Sequence, residues 1–163
     1  MMYRKALLFE DTAAASAILA DPSPQTARRL GRTVTPFSDE TWNANRERIV
    51  TEGSVAKFRF PVSEEEFRRG SGEDARDLPV IDGADGKGEG KDEKLGRLAT
   101  ALLETGDREI VEASPRDRIW GVGFGAKNAE CQRARWGLNL LGKALTEARR
   151  VLREEEAQKT KAD

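Results

Sequence analysis

The chain has 163 residues, a formal net charge of −1, 37% hydrophobic and 35% charged residues. No apolar run approaches the roughly 18 residues of a membrane span. A single cysteine excludes an internal disulfide framework. The lack of histidine excludes a Cys/His zinc site and any Ser-His-Asp or Cys-His unit.

Residues 1–9 carry apolar positions at Met2, Ala6 and Phe9 with helical spacing. Asp11 is a candidate N-cap for a helix over Thr12–Ala20, which Asp21-Pro22-Ser23-Pro24 ends. A short helix over Gln25–Leu30 stops at Gly31. Ser38 then caps a longer helix. Trp42, Arg46, Ile49, Val50 and Gly53 fall on one stripe of it, and Val55 to Phe60 extends it.

Residues 61–94 break the composition. They hold 11 acidic and 6 basic residues and six of the fifteen glycines, which reads as an acidic, Gly-rich surface insertion. The rest of the chain holds 18 acidic and 22 basic residues, a net of +4. Leu95–Leu103 is helical and closes at Thr105-Gly106. Two short strands follow, Glu109–Ala113 and Ile119–Gly123, with Ser114-Pro115-Arg116-Asp117 turning between them. From about Arg135 a last helix carries the stripe Leu140, Leu141, Ala144, Leu145, Ala148, Val151 and Leu152, and 154–163 is expected to fray. The sum is an α+β fold, a mostly helical single domain over 1–163 with a few short strands. The N-terminus shows no secretory signal. With one cysteine this leads us to expect an intracellular protein, in the cytoplasm or nucleus, with no membrane partner.

Without histidine, any catalysis uses carboxylates, lysine, arginine, hydroxyls or aromatics. Gly121-Val122-Gly123-Phe124-Gly125 is G-x-G-x-G rather than G-x-G-x-x-G, and no capped helix follows it directly, so it does not make a dinucleotide site. Such glycines let a backbone approach a ligand or another strand. Ser114–Gly121 sets Asp117 between Arg116 and Arg118, with Trp120 after them. This is either an Asx-type turn beside a core tryptophan or a phosphosugar site. In the second case arginines take phosphate, tryptophan stacks on a base and a carboxylate supports an oxocarbenium-like centre. Trp42 and Arg46 stand one helical turn apart, which suits a core face or a nucleobase and its phosphate. Lys5, beside Ala6, Leu7 and Leu8, is a snorkelling surface lysine or, if desolvated, an amine nucleophile.

Met1-Met2-Tyr3-Arg4-Lys5-Ala6, Trp42 with Arg46, Val111–Gly123 and Trp136–Leu145 together resemble the NADAR family over nearly the whole chain outside the insertion. The insertion itself is similar to what fungal members carry. The resemblance implies a compact helical α+β fold and a metal-independent, cofactor-free N-glycosidase. Its substrate would be a phosphoribosyl or ADP-ribosyl group on the amino nitrogen of a pyrimidine (a riboflavin intermediate) or of guanine, including ADP-ribosylated nucleic acid. Carried over by position, Lys5 matches the family's amine nucleophile and Asp117 the carboxylate of its S-P-x-D-x-x-W-G block. Trp42 and Trp120 match its ligand-facing aromatics. Asn139 sits in its N-x-L-G block, and Glu112 matches in a catalytic or structural role. Arg46, Arg118 and Gly121 complete the expected ligand-binding set. Trp42, Arg46, Asp117 and Trp120 are expected to share one concave surface. The family's first motif begins with an acidic residue before the methionines, which has no counterpart here. We therefore expect reduced activity, by roughly 10²–10⁴-fold if that group is a general acid–base. A nucleotide-binding module without turnover, and a helical interaction protein whose tryptophans are only core, stand as alternatives.

Overall fold

A computed structural model describes residues 1–60 and 97–162. The helices are α1 (Met2–Leu8), α2 (Thr12–Ala20), α3 (Pro24–Arg32), α4 (Asp39–Arg59), α5 (Arg97–Glu104), α6 (Ala126–Ala129) and α7 (Leu140–Ala162), with a 3₁₀ helix over Glu130–Arg135. The chain divides into two units. The described part of the first is Met1–Ile49, and that of the second is Val50–Phe60 with the chain from residue 97 onward. The expected acidic insertion lies outside the described residues.

In the first unit, local capping sets the three short helices. Asp11 accepts from the Ala14 N–H at 2.9 Å and from the Thr35 N–H at 3.0 Å, so one carboxylate caps α2 and ties down the chain after α3. Those two backbone donors favour the charged form and hold the Asp11 carboxyl below its ordinary value. Ser23 accepts from Thr26 N–H at 3.4 Å, and Pro24 opens α3. Ala6, Phe9, Ala15, Ile18 and Val34 form the core, with Met2, Tyr3, Leu30 and Trp42 packed against it.

The second unit is built on α7. Leu140, Ala144, Ala148 and Leu152 recur every four residues and are all buried, a stripe one face wide. Ala148 and Leu152 pack with Val55, Phe58, Ala99 and Leu102. Burying a side chain the size of Phe58 or Leu152 contributes roughly 1.5–3 kcal/mol. α7 starts at Leu140 rather than near Arg135, because the Glu130–Arg135 turn and an extended Trp136 precede it. It continues as helix through residues 154–162, where Glu155 pairs with Arg59.

The expected α+β class is not what forms, since no strand occurs among the described residues. Glu109–Ala113 is irregular, Ile119–Gly123 runs through bends with Gly123 at φ 79°, and the two meet through one bond, Val122 N–H to Glu112 O at 3.0 Å. The carbonyls that a ladder would use go elsewhere. Those of Ile119 and Trp120 accept from Leu140 and Leu141 N–H at 3.1 and 3.0 Å, supplying the orphan donors at the start of α7. Those of Arg118 and Val122 accept from Leu138 and Gly137 at 2.8 and 2.9 Å. Contact this close needs a glycine: a Cβ on Gly137 would lie 2.2 Å from Arg118 O. The second run therefore spends its carbonyls on the chain entering α7, and the first is held by the Asn139 side chain rather than by a ladder.

Candidate functional site

α1 places Lys5 on the face turned to α3 and to the start of α4. Its Nζ donates to Gly31 O at 2.7 Å, stands 4.4 Å from the Phe37 ring centroid and lies 5.6 Å from that of Trp42. Phe37 in turn packs on Phe9, with centroids 5.0 Å apart. Desolvation lowers the Lys5 pKa below its ordinary value, and the charge of Asp39 partly offsets that shift. The lysine does not snorkel. Two aromatic faces and one carbonyl lie beside its half-buried amine, and none of these is an ion-pair partner. A neutral amine that donates one hydrogen to Gly31 O keeps its lone pair, which is what nucleophilic attack requires. Trp42 therefore serves both readings of the sequence, packing on the core and facing Lys5. Arg46, one turn along α4, is half-buried.

The second unit holds the other expected residues. Asp117 Oδ1 accepts from Ile119 N–H at 2.9 Å and Trp120 N–H at 2.7 Å, an Asx turn that fixes the chain entering the glycine segment. Oδ2 has no partner among the described residues. Trp120 is half-buried, with its backbone held at both N–H and C=O. Asn139 sits just before α7 at φ 49°, a left-handed conformation that Asn tolerates. Its Oδ1 accepts from Glu112 N–H at 3.0 Å and its Nδ2 donates to Ile110 O at 2.9 Å. Both ends of the amide are thereby committed to backbone. Gly121 is buried against the same segment, where a Cβ would lie 2.6 Å from Glu112 O. Its missing side chain admits another stretch of backbone, which is one of the two uses the sequence suggested. The Glu112 carboxylate has no partner among the described residues. Arg118 donates to Arg135 O at 2.8 Å and stacks on Phe124 at 5.9 Å.

Lys5, Trp42 and Arg46 thus belong to the first unit. Glu112, Asp117, Arg118, Trp120, Gly121 and Asn139 belong to the second. Sequence reasoning did not single out Phe37, Gly31 or Asp39 around Lys5. Their only signal was an aromatic directly before the Ser38 cap. A cleft of about 590 Å³ in the second unit is lined in part by Asn139, and one of about 500 Å³ in the first is lined by α3 arginines. Neither includes Lys5 or Asp117, and the chemistry at Lys5 makes it the better candidate. Among the described residues no cluster of three or more Cys, Asp or Glu could hold a metal ion, and no helix is long and apolar enough to cross a membrane.

The chain is 34% identical over 151 residues to an N-glycosidase of Acanthamoeba polyphaga mimivirus, a match covering 91% of this chain and 69% of that protein. It is 27% identical over 155 residues to Protein irg-1 of Caenorhabditis elegans, covering 93% of this chain and 57% of that one. The NADAR domain model matches residues 1–153. A match over that span, with Lys5, Asp117 and Asn139 inside it, shows that this chain belongs to the NADAR family and is glycosidase-like.

Proposed function

We propose that the protein is an N-glycosidase that cleaves the bond between the anomeric carbon of a phosphoribosyl or ADP-ribosyl group and the amino nitrogen of a pyrimidine or guanine. The observation that carries this reading is the desolvated Lys5 amine between Phe37 and Trp42. The name of the mimivirus relative supports the reaction class.

Lys5 Nζ attacks the anomeric carbon while the bond from that carbon to the amino nitrogen breaks. The proton lost from Nζ goes to the departing nitrogen, and opening of the sugar ring leaves an imine on Lys5. Water adds to the imine, the sugar leaves as its aldehyde and the amine is restored. Oxidation states do not change, so the sequence balances without a redox cofactor. By the family pattern alone, Asp117 is the carboxylate we assign to stabilising positive charge on the sugar. Beside Lys5, the ring of Trp42 suits stacking on a base and Arg46 suits a phosphate, and the family pattern adds Trp120 as a further ligand-facing aromatic.

The test incubates the protein with a ribosylated aminopyrimidine phosphate and with ADP-ribosylated guanine, and follows the released base by chromatography. Release from at least one substrate is expected, with Lys5→Ala slower by roughly 10²–10⁴-fold, the scale of a lost reacting group. Tight binding of both substrates with no base released would overturn the glycosidase reading in favour of a binding module.

A further inference from the structure

Two aromatic rings stand beside the Lys5 amine, and the glycosidase reading gives a task to Trp42 alone. Phe37 is the closer of the two, with Lys5 Nζ over its ring at 4.4 Å from the centroid, against 5.6 Å for Trp42. It is also the more open. Trp42 is half-buried and packs on the core of the first unit, whereas Phe37 is 44% exposed.

A single exposed phenylalanine is ordinary on a protein surface and by itself carries no function. This one is held in place along the chain and against the core. Two residues before it, the Thr35 N–H donates to Asp11 Oδ2 at 3.0 Å. Directly after it, Ser38 Oγ accepts from the Thr41 N–H at 3.2 Å and caps α4. The buried Phe9 packs against the ring itself, with centroids 5.0 Å apart and planes tilted by 53°. The result is an anchored apolar ring next to the reacting amine, with no polar atom of its own.

We infer that Phe37 is a specificity-determining residue that takes the flat face of the departing heterocycle. The inference rests on the glycosidase reading for its substrate. The distances close. Attack needs Nζ within about 3–3.5 Å of the anomeric carbon. The amino nitrogen of the heterocycle lies one bond, about 1.5 Å, beyond that carbon. Offset-stacked rings hold their centroids about 4.5–7 Å apart. A heterocycle tethered in this way reaches that separation from a ring whose centroid is 4.4 Å from Nζ. The sugar is the poorer occupant, because a phenyl ring offers its hydroxyls and phosphate no hydrogen bond. The ring reads planarity and area rather than a hydrogen-bond pattern. It therefore accepts a pyrimidine and gains more from the larger guanine.

The test titrates parent and variant proteins with 6-aminouracil, 9-methylguanine and ribose 5-phosphate, following backbone amide resonances, and measures base release in parallel. Phe37→Leu keeps most of the apolar bulk and loses the π face. It should weaken both heterocycles by about fivefold or more, leave ribose 5-phosphate unchanged, and raise KM with kcat nearly constant. Phe37→Tyr should bind like the parent. A folded Phe37→Leu that binds the heterocycles like the parent, or that loses ribose 5-phosphate to the same degree, would overturn the assignment. A parent protein that binds neither heterocycle would also overturn it. Base release by the parent, with Phe37→Leu turning over at the parent's KM, overturns the assignment and leaves the glycosidase reading intact. Heterocycle binding that depends on Phe37, with no base released, does the reverse.

Discussion

Lys5 and Asn139 are both polar side chains set against backbone by a long-range hydrogen bond, yet they are used differently. Lys5 gives one hydrogen to Gly31 O and leaves the rest of its amine facing Phe37 and Trp42. Asn139 gives both ends of its amide to Glu112 and Ile110 and is buried, so its bonds go to holding the chain. Residues of one family pattern thus divide into a group kept chemically available and a group consumed in holding the chain. Asp117 falls between them, with one oxygen in an Asx turn and the other open. A family motif therefore does not by itself say which of its residues react. The count of hydrogen bonds already made separates them.

The difference makes opposite predictions for the two regions. Asn139→Ala leaves the Glu112 N–H and Ile110 C=O without partners, at about 1–3 kcal/mol for each buried group. Urea unfolding should show a loss of roughly 2–5 kcal/mol, and a loss within ~0.5 kcal/mol would remove Asn139 from the scaffold. Asp117→Asn keeps an oxygen for the Ile119 and Trp120 N–H groups but removes the negative charge. Base release should fall by about 10²-fold while the melting temperature stays nearly unchanged. A large drop in melting temperature with full activity would place Asp117 wholly with the scaffold.

A smaller effect sharpens the Lys5 side. Burial holds its pKa below the ordinary 10.5, so the unfolded chain binds more protons between the lowered value and 10.5. This group therefore adds stability as pH rises through that window. The rising limb of the pH–rate profile should likewise lie below the ordinary lysine range, because the reacting species is the neutral amine. Asp39 raises the Lys5 pKa, so Asp39→Asn should move the limb to lower pH. A limb that stays in place would show that the charge of Asp39 does not reach Lys5. The smallest effect belongs to solvent-exposed pairs. Arg150 pairs with Glu147 and Glu154 on the outer face of α7, and Glu154→Gln should change stability by at most about 0.5 kcal/mol.

The helices were legible because their causes are local. Apolar spacing and the caps Asp11, Ser23 and Ser38 lie within a few residues of what they control. The strands were misread because their fate was decided at a distance. Glu109–Ala113 and Ile119–Gly123 are short β-branched runs bounded by turn residues, but most of their long-range partners come from 137–141, and local composition carries no information about partners. The Lys5 surroundings fall in the same class. Apolar neighbours hinted at desolvation, but Gly31 is 26 residues away and Phe37 further still. The chain's own chemistry at Asp117 was legible as an Asx turn, while its open second oxygen was not.

The central claim is that Lys5 is the reacting amine, and trapping tests it most directly. The protein is incubated with ribosylated substrate and borohydride, digested, and the modified peptide is located by mass spectrometry. The account predicts a reduced sugar adduct on Lys5 that is lost in Lys5→Ala. Base release at an unchanged rate in Lys5→Ala, with no adduct on Lys5 in the parent protein, would contradict it and leave attack by water.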